Sequence, residues 1–239
     1  MIPPETPLRI GTLLFDGFDQ MDATGPFEVF ARIPNATCRF YAKSPEPVTD
    51  ARGLRLLPDA GLSEAPQLDV LHVPGGFGQE ALMEDAATLE WIATQAAGAK
   101  HVFSVCTGAL ICGAAGLLNG RRATTHWTAF HLLGFFGAVP VDARVVVDGR
   151  LISTAGVSAG IDGALRLAAT LRGEEAAQII QLYMQYAPRP PFDAGTPETA
   201  PPAALAVVRS AGQEIAARRE ATARRVGARL GLRAPGLDG

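Results

Sequence analysis

The residue best placed to do chemistry is Cys106, which stands between a predicted buried strand and a predicted helix rich in small residues. Residues 101–110 read His-Val-Phe-Ser-Val-Cys-Thr-Gly-Ala-Leu, which is the layout of a nucleophile elbow with cysteine in the place of serine. The free N–H groups and partial positive charge of a helix N-terminus favour the reactive thiolate over the thiol. A free cysteine is more often a small buried apolar residue, and Cys38 and Cys112 are interpreted in that way. For Cys106, the position at the end of a strand favours a nucleophile.

Two glycines follow a neighbouring predicted strand, in the segment Val-Pro-Gly-Gly-Phe-Gly over residues 73–78. Because glycine lets the backbone curl, Gly75 and Gly76 can form a nest of N–H donors that holds an anion. Together with the amide of Thr107, this nest would stabilise negative charge that builds up when Cys106 attacks a substrate. A phosphate-binding loop is disfavoured, since neither a complete GxGxxG pattern nor a Walker pattern is present. A plain tight turn stays open as the alternative.

Asp22 is the candidate acid, and it stands near the start of the helix that follows the first predicted strand. A carboxyl close to Cys106 would carry protons for the reaction, especially if burial raises its pKa. Asp16 and Asp19 precede it, and the alternative is that all three aspartates are turn and cap residues, which is the commoner role. Sequence spacing leaves this choice open.

His126 follows a further short predicted strand, so we expect it to reach the same pocket as Cys106. His126 and His131 are five residues apart, which does not place two ligands on one helix face, and no cysteine or carboxylate completes a zinc set. The sequence therefore predicts no metal. His72 and His101 lie in strand patterns and are interpreted as core or edge residues.

Strands alternate with helices along the chain, which predicts one α/β domain with a mostly parallel sheet. In such sheets ligands bind outside the carboxyl ends of the strands, where Asp22, Gly75 and Cys106 are all expected. Thr24 is the expected N-cap of the first helix, with Pro26 in its first turn. The predicted strands cover residues 8–15, 37–43, 54–57, 70–73, 101–105, 123–125, 144–147 and 151–154, the last two as a hairpin, and the predicted helices cover residues 24–33, 79–97, 107–118, 126–136, 161–171 and 174–185.

Composition excludes several classes of protein. The 239 residues are 48% hydrophobic and 19% charged, which is too apolar for an intrinsically disordered chain. Since no apolar run approaches the roughly 18 residues of a membrane span and the N-terminus lacks a signal-peptide pattern, we expect a cytoplasmic protein without membrane contact. Three cysteines do not make a disulfide framework.

Residues 202–239 are expected to form a helical extension of a domain that covers residues 1–201, not an independent domain. This tail carries seven arginines against three acids, a balance that can indicate nucleic-acid binding. The arginines, however, fall along an alanine-rich helical pattern, so a solvated helix face is favoured and no nucleic-acid partner is predicted. The candidate apolar contacts of this helix are Val207, Ile215, Val226 and Leu230.

Several motifs in order resemble the ThiJ/PfpI superfamily, whose members are flavodoxin-like three-layer sandwiches with a cysteine at the elbow. The resemblance covers residues 8–172 and rests on Asp22-Ala-Thr-Gly-Pro, Val73-Pro-Gly-Gly, Ser104-Val-Cys-Thr-Gly and Arg122-Ala-Thr-Thr-His-Trp. Within the superfamily, the aspartate at position 22, the Cys-Thr-Gly elbow and the Pro-rich stretch 186–201 are similar to the isocyanide hydratase branch.

The resemblance implies hydration of a small-molecule isocyanide, R–N≡C, to an N-substituted formamide through a covalent cysteine thioimidate. Cys106 would be the nucleophile and Asp22 the proton carrier. The amides of Gly76 and Thr107, with the Thr107 hydroxyl, would orient the intermediate. The branch implies neither a cofactor nor a metal, and its members are usually homodimers.

Three other functions stay open at this point. The sensor domain of AraC-type regulators is similar across the Cys-Thr-Gly and Ala-Thr-Thr-His-Trp blocks, but one tail helix cannot build two helix-turn-helix units. A glyoxalase-like or deglycase enzyme of the same superfamily would carry glutamate rather than aspartate at position 22. A redox sensor would use Cys106 as an easily oxidised thiolate.

Overall fold

The computed structural model describes residues 2–232. Its strands are β1 (Leu8–Leu13), β2 (Ala36–Ala42), β3 (Val48–Thr49), β4 (Arg55–Leu56), β5 (Ala60–Gly61), β6 (Val70–Val73), β7 (His101–Val105), β8 (Arg122–Ala123), β9 (Val139–Pro140), β10 (Val145–Asp148) and β11 (Leu151–Thr154). Its α-helices are α1 (Gln20–Phe30), α2 (Gln79–Leu82), α3 (Ala86–Gly98), α4 (Gly108–Ala114), α5 (Ala159–Arg172), α6 (Glu174–Tyr183) and α7 (Pro202–Arg229), and 3-10 helices cover Leu62–Glu64 and Trp127–Phe136.

Seven strands form one central sheet in the order β5-β2-β1-β6-β7-β11-β10. All neighbours in it are parallel except β10, which runs antiparallel to β11. The run β2-β1-β6-β7-β11 has the order of a flavodoxin-like sheet, in which the strand order reverses beside β1. The predicted flavodoxin-like α/β sandwich is therefore confirmed, and the reversal places the ends of β1, β6 and β7 side by side.

Helices cover both faces of the sheet, and neighbouring strand residues serve opposite faces because side chains alternate along a strand. Val70 and Phe103 pack into the cluster that contains side chains of α1, α5 and α6. Leu71 and Val102 pack into the cluster beneath α3, α4, α7 and the 3-10 segment Trp127–Phe136. The central strands are consequently buried on both sides, as their continuous apolar sequences indicate.

The first helix begins earlier than predicted, and its N-cap is Asp19 instead of Thr24. The Asp19 carboxylate accepts a hydrogen bond from the first turn, whereas the Thr24 hydroxyl donates to the carbonyl of Gln20 at 2.8 Å. Pro26 consequently lies inside α1. This correction matters for the site, because it places Asp22 in the first turn of a helix packed on the sheet.

The predicted helix over residues 79–97 is wrong as a single element, since the structure divides it into α2 and α3. Asp85 starts the second helix by accepting a hydrogen bond from the amide of Thr88 at 2.9 Å. The same carboxylate pairs with Lys43 Nζ at 2.6 Å. Asp85, which lies inside the apolar periodic pattern of residues 79–97, is therefore the N-cap of α3.

Smaller corrections concern two other segments. Residues 54–57 supply β4, which pairs with β3 in a separate two-stranded sheet instead of joining the central one. The segment predicted as an α-helix over residues 126–136 is a 3-10 helix over Trp127–Phe136, with His126 as its N-cap. The hairpin of β10 and β11 is confirmed, with Gly149 at φ +60° in its turn, a conformation that favours glycine.

The long helix α7 packs along the 3-10 segment, α2 and α4. Of its predicted apolar contacts, Ile215 and Val226 are buried, whereas Val207 and Leu230 are exposed. The C-terminal half of α7 is therefore built into the molecule, and its N-terminal half is largely exposed. Although α7 has 28 residues, neither it nor another helix within residues 2–232 is apolar enough to cross a membrane.

Candidate active site

The loops that follow β1, β6 and β7 bring the main sequence candidates together at the carboxyl edge of the sheet. The amide of Gly75 donates to Asp22 Oδ2 at 3.0 Å, and the amide of Gly76 donates to Thr107 Oγ1 at 3.2 Å. A side chain on Gly75 would meet both Thr107 and Asp22. Residues separated by more than fifty positions in the chain therefore share one small space.

Cys106 occupies the strained corner that a nucleophile elbow requires. Its φ is +54°, a left-handed conformation that is uncommon for residues other than glycine. Backbone contacts hold it there, because its amide donates to the carbonyls of Thr154 and Ala155 at 3.1 and 2.9 Å. The Thr125 hydroxyl donates to the Cys106 carbonyl at 2.7 Å. The neighbouring strand and loop thus maintain the strain and aim the side chain into the site.

Asp22 is fully buried, with 0% of its surface exposed. Burial, reinforced by the negative charge of Asp19, raises its pKa to about 8, against the opposing hydrogen bond from Gly75 and the contact with the Cys106 thiol. Its Oδ1 atom has no hydrogen-bond partner among residues 2–232. A buried carboxyl with one oxygen fixed and one oxygen free is suited to accept and return a proton.

The thiol of Cys106 has its pKa raised well above the usual range, first by burial and then by the charge of Asp22. The Thr107 amide and the positive charge of Arg219 oppose this shift without reversing it. The net direction is the opposite of the one expected from a helix N-terminus alone, because burial of the thiolate and the charge of Asp22 outweigh the Thr107 amide and Arg219. Because both pKa values are raised, Asp22 and Cys106 are both mainly protonated at neutral pH, and the pair keeps its last proton as the pH rises through about 8.

The two glycines act as a scaffold for the acid and for Thr107. Gly76 has φ +132°, and a Cβ there would lie 2.4 Å from the amide nitrogen of Asp19. The Thr107 hydroxyl accepts from the Gly76 amide and lies 3.4 Å from the Gly76 carbonyl, to which it donates. The predicted nest amides are consequently engaged with Asp22 and Thr107 within the protein.

His126 lines the same cavity as Cys106. Its Nδ1 lies 2.8 Å from Thr128 Oγ1, and burial, with the charge of Arg219, lowers its pKa, so the ring is neutral at pH 7. His72 lies deeper, 2.9 Å from Thr12 Oγ1 through its Nδ1. Burial lowers the pKa of His72 to about 3, which agrees with its interpretation as a core residue.

The cavity above Cys106 has a volume of about 350 Å³, and one of its walls is α7. Val208, Gly212, Ile215 and Arg219 of this helix face the same space as Cys106. Within residues 2–232 no cluster of three or more histidine, cysteine or acidic side chains is arranged to hold a metal ion. The chemistry available here is that of a thiol, a carboxyl, hydrogen-bond donors and a cation.

Arg219 is the site residue that sequence reasoning missed, because the arginines of the tail were interpreted as a solvated face. A signal was present in the spacing. Arg219 lies four positions after Ile215 and seven before Val226, which places it on the buried stripe of the helix. Arg218 and Arg224, on other faces, are more than half exposed.

Residues 8–170 match the DJ-1/PfpI family. The chain belongs to this family. It is 49% identical over 227 residues to the isonitrile hydratase of Pseudomonas putida, an alignment that covers 95% of this chain and 99% of that protein. It is also 30% identical over 138 residues to the glutathione-independent glyoxalase DJR-1.2 of Caenorhabditis elegans, covering 57% of this chain and 74% of that protein.

A solved ThiJ/PfpI family protein from Pseudomonas syringae superposes with a TM-score of 0.90 at 41% identity, covering 93% of each chain. The superfamily resemblance expected from the sequence is therefore confirmed. Because the likeness covers 93% of this chain, it extends well beyond the residues that carry the family match.

The glycine scaffold can be tested at Gly75. A methyl group there would lie 2.6 Å from both the nitrogen and the hydroxyl oxygen of Thr107. Because this overpacking displaces backbone, Gly75→Ala should lower the free energy of unfolding by about 1–3 kcal/mol, measured by urea denaturation. The matched control is Gly195→Ala, where a methyl group meets nothing within 4 Å. Equal stability of the two variants would contradict the scaffold role.

Proposed function

We propose that this protein is an isocyanide hydratase, an enzyme that converts R–N≡C and water into an N-substituted formamide. The observation that carries the proposal is the buried Asp22 carboxyl beside the strained Cys106 thiol, with a proton retained between them. The 49% identity to an isonitrile hydratase over 95% of the chain supports the same substrate class. The reaction needs a nucleophile and a proton carrier, and both are present at the carboxyl edge of the sheet.

In the first step the terminal carbon of the isocyanide is attacked by Cys106 Sγ. The carboxylate of Asp22 accepts the thiol proton as the C–S bond forms, and it passes that proton to the same carbon. The S–H bond breaks, new C–S and C–H bonds form, and the product is the thioimidate R–N=CH–S–Cys. The form of the pair that carries one proton is the one that reacts, because Asp22 is then free to accept the thiol proton.

In the second step a water molecule adds to the thioimidate carbon. One water proton moves through Asp22 to the nitrogen, and the oxygen bonds to carbon. The C–S bond then breaks with its electron pair on sulfur, and the remaining hydroxyl proton returns to Cys106. The formamide R–NH–CHO leaves, and the enzyme is restored.

Other residues of the site orient these steps. The backbone amide of Thr107 donates to the sulfur, and its hydroxyl is held by the amide of Gly76. We assign Thr107 and Gly76 to orienting the polarised intermediate, and Gly75 to fixing the acid through its hydrogen bond to Asp22. His126, neutral on the cavity wall, is assigned to contact with the substrate.

The covalent step is tested by intact-protein mass spectrometry. Brief exposure to an alkyl isocyanide should increase the mass of the protein by that of the isocyanide, and peptide mapping should locate the increase on Cys106. Cys106→Ala should show neither the adduct nor formamide production, whereas Cys112→Ala, which removes a buried thiol in α4, should retain both. Formamide production by Cys106→Ala would refute the nucleophile.

The pH profile tests Asp22. Because its pKa is raised to about 8, the pair carries its second proton at low pH, and Asp22 then lacks the capacity to accept the thiol proton. The value of kcat/KM should therefore rise as the pH increases through about 8, the apparent pKa belonging to the pair. Asp22→Asn should flatten this profile and lower kcat/KM by roughly 100-fold or more. An unchanged profile in Asp22→Asn would remove the proton-carrier role.

A glyoxalase-like activity is the second candidate, favoured by the 30% identity to the Caenorhabditis elegans glyoxalase. Purified enzyme should be assayed in parallel with methylglyoxal and with an isocyanide. Consumption of methylglyoxal alone would replace the main proposal with this one.

We also infer a homodimer, supported by three exposed apolar side chains of α6, Ile179, Leu182 and Tyr183. Their spacing of three and four residues places them on one face of the helix, and exposed apolar patches are typical of protein interfaces. Sedimentation equilibrium should give twice the mass of one chain, and the mass of one chain would contradict the inference.

We infer one domain over residues 1–201 with α7 (Pro202–Arg229) as its helical extension, while residues 233–239 of the predicted extension lie outside the described residues. We also infer a cytoplasmic location. The location is supported by Cys38, Cys106 and Cys112, all of which are free thiols, as is usual in a reducing compartment. Recovery of the protein from a periplasmic fraction would contradict it.

A further inference from the structure

The buried arginine of α7 holds the glycine loop of the site. Arg219 is only 7% exposed, and its guanidinium donates to the Gly76 carbonyl at 2.7 Å and to Gln79 Oε1 at 3.0 Å. It lines the cavity together with Cys106 and Thr107. An arginine from the far end of the chain therefore reaches the carboxyl edge of the sheet.

The Gly76 carbonyl that Arg219 binds lies in the glycine loop, whose amides make two other contacts of the site. Gly76 has φ +132°, and its amide fixes the Thr107 hydroxyl. The preceding amide, that of Gly75, fixes Asp22. Displacement of the Gly76 peptide would thus move the acid and the residue next to the nucleophile together.

Arg219 has no carboxylate partner within 4.0 Å in the part of the chain that the structure describes, unlike Arg218, Arg224 and Arg225 of the same helix. Arg224 and Arg225 pair with Glu220 and Glu84 at 3.1 and 2.8 Å, whereas both hydrogen-bond partners of Arg219 are neutral oxygens. A buried cation without a counter-ion is costly. Such a cost is offset when negative charge develops nearby, as it does on a cysteine sulfur during attack.

The charged groups around this sulfur come from several elements. Asp22 and Asp19, from α1 and its N-cap, raise the pKa of Cys106, and the Thr107 amide and Arg219 lower it. On the side of the arginine, the Glu80 charge of α2 favours the guanidinium and the Arg218 charge disfavours it. Glu80 is itself hydrogen-bonded to the Thr222 hydroxyl. Arg219 is therefore the positively charged side chain among these groups, and its charge lowers the pKa of Cys106 against the carboxylates of Asp22 and Asp19, which raise it.

We propose that Arg219 is a positioning residue of the hydration reaction, which holds the Gly76 peptide in place and favours negative charge on Cys106 Sγ. The inference rests on the proposed function for its effect on turnover, but its effect on the thiol is independent of the substrate. The two roles are separable, because lysine keeps the charge and loses the planar fork that spans two acceptors.

The test uses full-length Arg219→Gln, Arg219→Lys and the control Arg225→Gln, which removes an exposed charge of the same helix. The first measurement is the rate of Cys106 alkylation by iodoacetamide as a function of pH. Arg219→Gln should shift the midpoint to higher pH by about one unit, a roughly tenfold slower reaction below the midpoint. Arg219→Lys should keep the wild-type midpoint, and Arg225→Gln should match wild type.

The second measurement is the hydration of an alkyl isocyanide. Arg219→Gln and Arg219→Lys should both lower kcat by about tenfold with KM changed less than threefold, because the fork is lost in both. A wild-type alkylation profile in Arg219→Gln would overturn the charge role. Wild-type kcat in Arg219→Lys would overturn the clamp. If Arg219→Gln fails to fold, Arg219→Lys tests both roles, because a shifted alkylation midpoint in a variant that keeps the charge would contradict the charge role.

The two proposals fail in different ways. If wild type leaves isocyanides unchanged while Arg219→Gln still shifts the alkylation midpoint, the proposed function is wrong and the role of Arg219 at the thiol stands. If wild type hydrates isocyanides and every Arg219 variant matches it in both measurements, the inference on Arg219 is wrong and the proposed function stands.

Discussion

The site depends on the burial of two acids side by side. Asp22 is fully buried and Cys106 is 7% exposed. Burial raises the pKa of both groups, and the charge of Asp22 raises that of Cys106 further, whereas the contact with the Cys106 thiol lowers that of Asp22. The cavity above the pair has α7 as one wall, and Asp22 and Cys106 lie buried in contact beneath it. The proposed reaction uses them as a pair that shares protons instead of as two independent anions. Every neighbouring element can be understood as a support for this arrangement.

The supports are mostly backbone groups. The Gly75 amide fixes one oxygen of Asp22, and the carbonyls of Thr154 and Ala155 hold the Cys106 amide in its strained corner. Backbone donors and acceptors are suited to this task, since the fold fixes their positions and each needs a hydrogen-bond partner when buried. The parallel strand order brings them together, because it ends β1, β6 and β7 at one edge. Arg219 is the exception, a charged support delivered by a helix remote in sequence.

Sequence patterns predicted the main strands well and the helix boundaries less well. Mostly apolar runs such as residues 70–73 and 101–105 became central strands with unchanged limits, because burial on both faces favours apolar side chains at most positions, with His72 and Ser104 as buried polar exceptions. The start of α1 was misplaced because Asp19 and Thr24 are both acceptable N-caps, and only packing on the sheet chose between them. The break at Asp85 was hidden for a related reason, since the residues on both sides share one periodic apolar pattern.

The sequence by itself determined the family and the fold class, and it singled out the thiol, the acid and the glycines as candidates. These depend on local patterns, because Cys106 and the glycines stand directly after recognisable strands and Asp22 stands in the helix that follows the first one. Only the tertiary structure decided the direction of the pKa shifts, the engagement of the glycine amides within the protein, and the presence of Arg219 at the site. Those depend on which groups lie within a few ångströms and on how much water they lose. Spacing along the chain predicts neither the distances nor the loss of water when the partners are far apart in sequence. Gly75 and Asp22 are separated by 53 residues, and Arg219 and Gly76 by 143.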